Sequence, residues 1–467
     1  MPGIGVLLRS AQVGLLPGYI LLGLVVASAS GCATYSGSFA AIERNLAAGQ
    51  YNTALQHIEN QSASKSDRVL YHLNKGMVLR MKRDFVASNQ SLEAAKAEME
   101  RLYAVSVSEN ALSFIVNDAT VSYAGDGYEQ VMLHLYMALN YLELGQVDAA
   151  RVEALQVDVK LRELGEKVAD SQFTEDAFSR YLTGIIYEAS GEWSDAMIAY
   201  RKSYEAYKKY PADFDLAIPT MLKHDLLRMA QRVGLSGEVE QFEKEFGLKR
   251  QRERFDNSEG GELVFVLSNG LAPIKRESAV ALIDPVTGIL ARIALPHYES
   301  RFNNVVSARI TIAGEQSVTA LMEDVDAIAR QSLDARMAAI TARSLARAVA
   351  KIAASKTAQQ GALHGSKDDT AIDMIGAFAV QVAAVATERA DTRSWLTLPA
   401  DIQLARIPLS AGTYAVKVEL LGQGEQVVVS SEHPEVAISQ SRKTFLTLHW
   451  IPAQAGSDQL PADRRKK

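Results

Sequence analysis

Two groups of charged side chains in the C-terminal half are the best candidates for ligand chemistry. The first is a short segment with two arginines, two carboxylates and a tryptophan: Glu388, Arg389, Asp391, Arg393 and Trp395. Guanidinium groups bind carboxylates and phosphates in a bidentate manner, and an aromatic ring beside them adds a cation–π surface. The segment is therefore a candidate clamp for a sugar or an anionic partner. In the alternative interpretation, the same residues form an ion-paired corner that fixes a helix against a sheet.

The second group is a basic stripe that consists of Arg336, Arg343, Arg347 and Lys351. Spacings of seven, four and four residues place these cations on one face of a helix. Such a stripe would suit the phosphates of lipopolysaccharide or an acidic protein. The alternative is a solvated helix face without a partner.

The sequence gives no sign of catalytic machinery. It has no Gly-x-Ser-x-Gly, phosphate-loop, His-Glu-x-x-His or dinucleotide-binding motif. The eight histidines are scattered without the spacing of metal ligands, so we expect no metal site, no cofactor and no enzymatic activity. A net charge of -6 and a pI near 5.9 provide no overall field that would recruit nucleic acid.

The only cysteine of the 467-residue chain, Cys32, follows a segment with the layout of a signal peptide. One cation, Arg9, precedes an apolar run that extends to Val26, and small residues then lead to the cysteine. The residues Ala29-Ser30-Gly31-Cys32 resemble the lipobox of bacterial lipoproteins, in which leucine is commoner at the first of these positions. The alternatives are an ordinary secretory signal with a chance cysteine, or an uncleaved membrane helix.

The lipobox resemblance implies that the thiol of Cys32 becomes a thioether to diacylglycerol, that the chain is cut before it, and that the new amine is acylated. Two or three acyl chains would give an effectively permanent anchor. An aspartate after the cysteine retains lipoproteins of enteric bacteria in the inner membrane, whereas Ala33 follows here. The resemblance therefore implies a lipoprotein of the outer membrane that faces the periplasm.

Residues 32–254 carry a helical repeat. Each copy follows the pattern Gly-x-aromatic-x-x-small-x-x-x-apolar, in which glycine turns the chain and small residues let two helices approach. The sets are Gly49, Tyr51, Ala54 and Ile58, then Arg83, Phe85, Ser88 and Leu92, then Gly145, Val147, Ala150 and Ala154, then Gly191, Trp193, Ala196 and Tyr200, and a weaker Gly237, Val239 and Phe242. The first two sets are 34 residues apart, which is the tetratricopeptide (TPR) period. The pattern predicts a TPR-like α-solenoid; the alternative is an ordinary bundle of helical hairpins.

The insertion 108–126 contains two strand-like runs, which predict a β-hairpin or an ordered loop that acts as a lid or as a cap over the core.

A polar linker at 255–262 separates the repeats from a region with strand periodicity at 263–460. Strands are predicted at 263–267, 279–283, 288–295, 305–312, 316–321, 394–398, 402–407, 413–421, 426–430 and 444–450. Two helices, 322–358 and 372–390, interrupt this series. We therefore predict a multidomain α and β protein. A signal peptide at 1–31 and the solenoid come first, and a β-sandwich-like domain with a helical insertion at 322–390 follows. A disordered tail at 461–467 ends the chain.

Several stretches resemble a family of proteobacterial lipoproteins with helical repeats and no established activity. They are Gly127-Tyr128-Glu129, Ala138-Leu139-Asn140-Tyr141, Asn269-Gly270-Leu271-Ala272-Pro273, Glu323-Asp324-Val325-Asp326-Ala327-Ile328, and Thr387 to Trp395 followed by Leu398-Pro399. The resemblance spans most of the chain after Cys32. It implies the same architecture and an envelope location, and it carries over no catalytic residue.

The sequence thus favours a lipid-anchored scaffold or adaptor that binds envelope proteins in the groove of a helical array. The expected partners are the membrane, through the anchor, and envelope proteins; an anionic glycan is possible, and nucleic acid is not expected. A module that binds peptidoglycan or lipopolysaccharide through the C-terminal half is the second hypothesis, and an enzyme is the third.

The anchor is directly testable. Replacement of Cys32 by serine should abolish palmitate labelling and move the protein from the membrane fraction to the soluble periplasmic fraction, because no acyl chain can then be attached. The measurement is metabolic labelling followed by fractionation. An unlabelled wild-type protein together with a variant that stays on the membrane would contradict the prediction.

Overall fold

The computed structural model describes residues 35–61, 64–108, 121–167, 176–214, 216–249, 260–283, 290–364 and 388–453. Several predicted features lie outside these ranges: the signal peptide with Cys32, most of the linker, the C-terminal tail, most of the helix at 372–390, and residues 109–120 of the insertion. The described chain is a mixed α and β protein, as predicted.

Helices dominate the first half and strands the second. The helices are α1 (Tyr35–Ser38), α2 (Ala40–Ala47), α3 (Tyr51–Asn60), α4 (Arg68–Met81), α5 (Phe85–Ser108), α6 (Gly127–Glu143), α7 (Val147–Lys167), α8 (Ala177–Ala189), α9 (Trp193–Asp213), α10 (Thr220–Arg232), α11 (Ser236–Phe246) and α12 (Val325–His364). The strands are β1 (Gly260–Asn269), β2 (Ile274–Ile283), β3 (Leu290–Glu299), β4 (Ser307–Ile312), β5 (Glu315–Val318), β6 (Ala320–Asp324), β7 (Asp401–Ser410), β8 (Gly412–Leu421), β9 (Val427–Ile438) and β10 (Lys443–Trp450).

Helices α2 to α11 pack as five hairpins, and one turn geometry joins the two helices of each. The middle residue of every turn has a left-handed backbone, and these residues are Gly49, Arg83, Gly145, Gly191 and Gly234. In each turn the middle N–H donates to the carbonyl three residues earlier and the next N–H to the carbonyl five residues earlier, which satisfies the last carbonyls of the first helix. Because glycine adopts this backbone freely, the repeat signal marks the turns themselves.

Two of these turns depart from the sequence pattern. Arg83 takes the glycine position at a φ of 66°, and its guanidinium pairs with Glu143 at 3.1 Å. In the fifth hairpin the pattern placed the turn at Gly237, which was wrong by three residues. Gly234 makes the turn, whereas Gly237 lies inside α11. The spacing failed there because the aromatic position after the turn is occupied by Ser236.

The strands form two four-stranded sheets and a separate ribbon of β2 and β3. The inner sheet has the order β10-β1-β7-β6, with β1 parallel to β10 and antiparallel to β7. The outer sheet has the order β5-β4-β8-β9 and is antiparallel. The two sheets face each other across one hydrophobic cluster, to which β1, β4, β7, β8 and β10 all contribute.

Strand β1 is buried on both faces. Leu263, Phe265 and Leu267 join the cluster between the two sheets, whereas Val264 and Val266 join the cluster that continues into the helices. Side chains alternate between the faces of a strand, so β1 contributes to two cores at once. The helical array and the inner sheet therefore share a hydrophobic core.

The first helices of the central hairpins are covered by the strands. Every residue of α8 from Ala177 to Glu188 is buried. On α6 the hydroxyl of Tyr136 lies 3.1 Å from that of Ser268 on β1, and Tyr207 of α9 donates to the carbonyl of Met322 on β6 at 2.6 Å. The inner surface of the array is thus occupied by the protein's own β structure.

A buried ion network fixes the same contact. The guanidinium of Arg406 on β7 lies 2.6 Å from Glu262, 2.7 Å from Asp225 and 3.3 Å from Glu188. Lys443 of β10 pairs with Glu188 and Glu262. Burial would raise the pKa of Glu188, but Lys443 and Arg406 outweigh it and hold that pKa well below its usual range. Removal of one partner from such a network leaves an uncompensated buried charge, which costs about 3–5 kcal/mol.

Three predicted elements were wrong in part. The strand predicted at 394–398 is an irregular buried segment in which Leu398 donates to the carbonyl of Trp395. The strand predicted at 316–321 is divided between β5 and β6, which lie in different sheets. The helix predicted from Met322 begins at Val325, because the residues up to Asp324 pair with β7 as strand β6.

The close packing of hairpin helices gives a stability prediction. A Cβ added at Gly184 of α8 would collide with the ring of Tyr200, which cannot swing away easily because its hydroxyl donates to Glu188 at 2.7 Å. We expect Gly184→Ala to lower the free energy of unfolding by about 2 kcal/mol. The matched control is Gly237→Ala, where a Cβ meets nothing within 4 Å; it should raise stability by less than about 1 kcal/mol. Urea unfolding of both variants is the measurement, and equal effects would contradict the predicted contact.

Candidate functional site

A cavity of about 380 Å³ lies between the N-terminal helices and the segment 389–393. Apolar side chains of α2 and α3 and the preceding turn form one wall, and they are Phe39, Ile42 and Ile58. Charged groups form the opposite wall and include Asp67, Glu277, Arg389, Asp391 and Arg393. Tyr35 and Tyr71 complete the lining, so the cavity joins an apolar surface to a charged one.

Arg393 holds the charged wall together. Its guanidinium binds Asp391 through two nitrogens at 2.9 and 2.8 Å, lies 3.2 Å from Asp67, and donates to the carbonyl of Val121 at 2.8 Å. The side chain is only 7% exposed. Arg393 therefore fixes the segment against α4 and the chain before α6, which is the structural role considered from the sequence.

Arg389 differs from Arg393 although both line the cavity. Its side chain is exposed, and it has no hydrogen-bond or ion-pair partner among the described residues. The backbone on either side of it is held, because Glu388 is buried in an ion pair and the N–H of Ala390 donates to Glu277 at 2.7 Å. A fixed backbone thus presents an unpaired guanidinium at the cavity.

Trp395 is a core residue and does not line the cavity. It is 1% exposed, its indole N–H donates to Thr397 at 3.0 Å, and its ring packs edge-on against Tyr136. Its backbone N–H donates to Glu129 of α6 at 2.7 Å. The ring is therefore closed to a ligand, so Trp395 is not part of a clamp and has the structural role considered as the alternative.

The basic stripe on α12 is committed to internal contacts. Arg336 pairs with the buried Asp126 at 2.7 Å, while Arg347 and Lys351 pair with the buried Glu388 at 3.2 and 2.8 Å. Arg343 is not free either. The three cations with identified partners thus face the start of α6 and the chain after residue 387, and Arg336 keeps 44% of its side chain exposed.

Glu129 and Asp126 form an acidic pair at the start of α6, beneath the segment that contains Trp395. Asp126 contacts Lys275 at 3.1 Å as well as Arg336, and these cations outweigh burial and lower its pKa. Glu129 has no cation in contact among the described residues and accepts from Tyr123 at 2.6 Å. Burial, followed by the charge of Asp126, raises the pKa of Glu129 to about 7.

Sequence reasoning missed most of the cavity. It singled out Arg389 and Arg393 but not Tyr35, Tyr71 or Glu277, which lie more than 100 residues away in the chain. Nothing in the local pattern distinguishes these residues from core and surface residues. A pairing between the first hairpin and the segment 389–393 would have been the necessary signal, and a single sequence does not contain it.

A second candidate surface lies on the outside of the array. The exposed face of α7 carries Val152, Leu155 and Val159, which are 52%, 41% and 38% exposed. Their spacings of three and four residues match the seam of a coiled coil. Ile198 of the neighbouring helix α9 is 47% exposed as well.

The described ranges show neither a membrane-spanning helix nor a metal-ligand cluster. No helix there is both long and apolar enough to cross a membrane. In the same ranges, no three His, Cys, Asp or Glu side chains are grouped as metal ligands would be.

Glu129 gives a pH prediction. Its folded pKa of about 7 lies above the ordinary value of 4.5, so its favourable contribution is present below pH 4.5 and is lost as the pH rises through 7. Between pH 4.5 and 8 the wild type should lose about 3 kcal/mol of unfolding free energy relative to Glu129→Gln, which cannot ionise. Urea unfolding of both proteins across this range tests the difference. A difference that does not change with pH would mean that Glu129 is ionised throughout.

Comparisons with known proteins give no family. No protein-family description matches the sequence, and no curated protein matches it. Two solved structures of MamA are among the structural matches. One, labelled AMB-1, is 11% identical with a TM-score of 0.28 and covers 45% of this chain and 88% of its own; the other has the same identity and TM-score and covers 46% and 96%. Similarity at this level does not assign the fold or function.

Proposed function

We propose that this protein is a lipid-anchored scaffold at the periplasmic face of the outer membrane, with a TPR-like array that binds an envelope protein through its outer surface. The anchor is Cys32, and the first described residue, Tyr35, follows three positions later. Three residues of extended chain span at most about 11 Å. An acylated Cys32 would therefore keep the N-terminal hairpin beside the membrane.

The repeated hairpin turn supports the TPR-like assignment. Five hairpins share one turn geometry, and the first two turns are 34 residues apart, at Gly49 and Arg83. An array of this kind usually exposes the inner surface of its first helices to a peptide. In this protein those helices are covered by the inner sheet, so the groove expected from the sequence is not open.

The exposed stripe on α7 is the observation that carries the proposal. Val152, Leu155 and Val159 follow one another at the spacing that packs against another helix. Ion pairs flank the stripe: Arg151 contacts Glu192 at 2.5 Å, and Asp158 contacts Lys202 at 3.0 Å. These contacts tie α7 to the next hairpin and keep the stripe in place. The chemistry that fits it is an amphipathic helix of a partner protein.

Two charged groups that the sequence or the fold makes conspicuous are used in internal contacts. The buried network of Glu188, Asp225, Glu262, Arg406 and Lys443 is paired internally, so its acids and bases are engaged with one another. Arg336, Arg347 and Lys351 are engaged with buried carboxylates. A scaffold is therefore the function that we propose.

The test compares envelope crosslinks of the wild type with those of the double variant Val152→Glu/Leu155→Glu. Two charges on the stripe should reduce crosslinking to the partner at least tenfold, because a helix partner would have to bury both. The variant should stay folded, since exposed substitutions usually change stability by less than about 0.5 kcal/mol.

The matched control is Val427→Glu, an equally exposed valine on β9 of the outer sheet, which is 49% exposed. It should leave the crosslinks unchanged. Unchanged crosslinks in the double variant, or an equal loss in the control, would refute docking on α7. Point variants are preferable to deletion of the array, because deletion would expose the shared core of the inner sheet.

A further inference from the structure

We propose that the cavity between the N-terminal hairpin and residues 389–393 binds a free α-amino acid with an apolar side chain. The proposal starts from the charges that line the cavity. Three carboxylates and two guanidiniums face it, and most of them are already paired. The charged groups that have no partner of their own determine the charges that a ligand must carry.

The carboxylates are not equivalent. Glu277 is neutralised outside the cavity by Arg292. Asp67 and Asp391 share a single cation, Arg393, so one negative charge at this pair is left without a cation of its own. Both carboxylates are partly exposed, at 29% and 26%, and a ligand can therefore reach them.

The positive charge that balances this surplus is Arg389, which has no partner in the part of the chain that the structure describes. The cavity thus offers one unpaired guanidinium and one surplus carboxylate charge. A guanidinium binds a carboxylate in bidentate geometry, and a carboxylate accepts from an ammonium group. A zwitterion satisfies both, whereas a simple anion would meet the charge of Asp67 and Asp391, and a simple cation would leave Arg389 unpaired.

The opposite wall identifies the rest of the ligand. The partly buried rings of Tyr35 and Tyr71 line the cavity and pack against the buried cluster that contains Phe39, Ile42 and Ile58, so the accessible apolar surface is aromatic. An apolar side chain placed there would be removed from water at about 25 cal/mol per Å². A volume of about 380 Å³ is at the small end of ligand sites and suits one amino acid better than a polymer.

The experiment is calorimetric titration of the full chain with L-phenylalanine and two truncated probes. The first probe, 3-phenylpropionate, lacks the ammonium group, and the second, 2-phenylethylamine, lacks the carboxylate. We expect L-phenylalanine to bind saturably and at least about tenfold more tightly than either probe, because each probe leaves one charged group of the site unpaired.

The variant Arg389→Gln should weaken L-phenylalanine at least about tenfold and should not weaken 2-phenylethylamine, which makes no contact that needs the guanidinium. The matched control is Arg44→Gln, an exposed arginine of α2 that does not line the cavity, and it should bind as the wild type does. Binding of either probe as tightly as L-phenylalanine, or no saturable binding of L-phenylalanine, would overturn the proposal. Because the scaffold test concerns α7, either proposal can fail alone.

Discussion

Burial of β1 on both faces is the constraint on which the rest of the structure depends. The strand places Leu263, Phe265 and Leu267 against the outer sheet and Val264 and Val266 against the helices, so neither half of the chain has a complete core without it. The contact also buries charge. Arg406 and Lys443 neutralise carboxylates from α8, α10 and β1, and each of these groups would be costly to bury alone. Helices and strands therefore form one cooperative body.

This arrangement determines which surfaces are available for function. The inner faces of α6 and α8 are covered by the inner sheet, so binding surfaces must lie on the outside of the array or at its ends. The stripe on α7 is an outside surface, and the cavity beside the first hairpin is at one end. A lipid anchor at Cys32 would hold the end with the cavity close to the membrane and leave α7 further along the array.

The segment 388–395 shows how similar residues acquire different roles. Arg393 and Trp395 are buried and hold the segment against α4 and α6, whereas Arg389 stays exposed and unpaired. The two arginines have the same chemistry. Asp391 and Asp67 lie beside Arg393 and make it a positioning residue, whereas Arg389 lacks such contacts in the described chain and can bind a ligand. The role of the basic stripe on α12 is likewise set by its partners, because Asp126 and Glu388, which pair with it, come from distant parts of the chain.

The sequence by itself determined the features that local periodicity encodes: the helical hairpins, four of the five turn positions and most strands. Turn glycines and alternating strands leave a local trace because backbone conformation and side-chain direction are local properties. Only the tertiary structure decided that the inner sheet fills the groove, that Ser394 to Leu398 is not a strand, and that Arg393 is paired at the cavity whereas Arg389 has no partner among the described residues. Those outcomes depend on burial and on ion pairs between residues up to several hundred positions apart, such as Arg393 and Asp67, and no spacing within one segment records them.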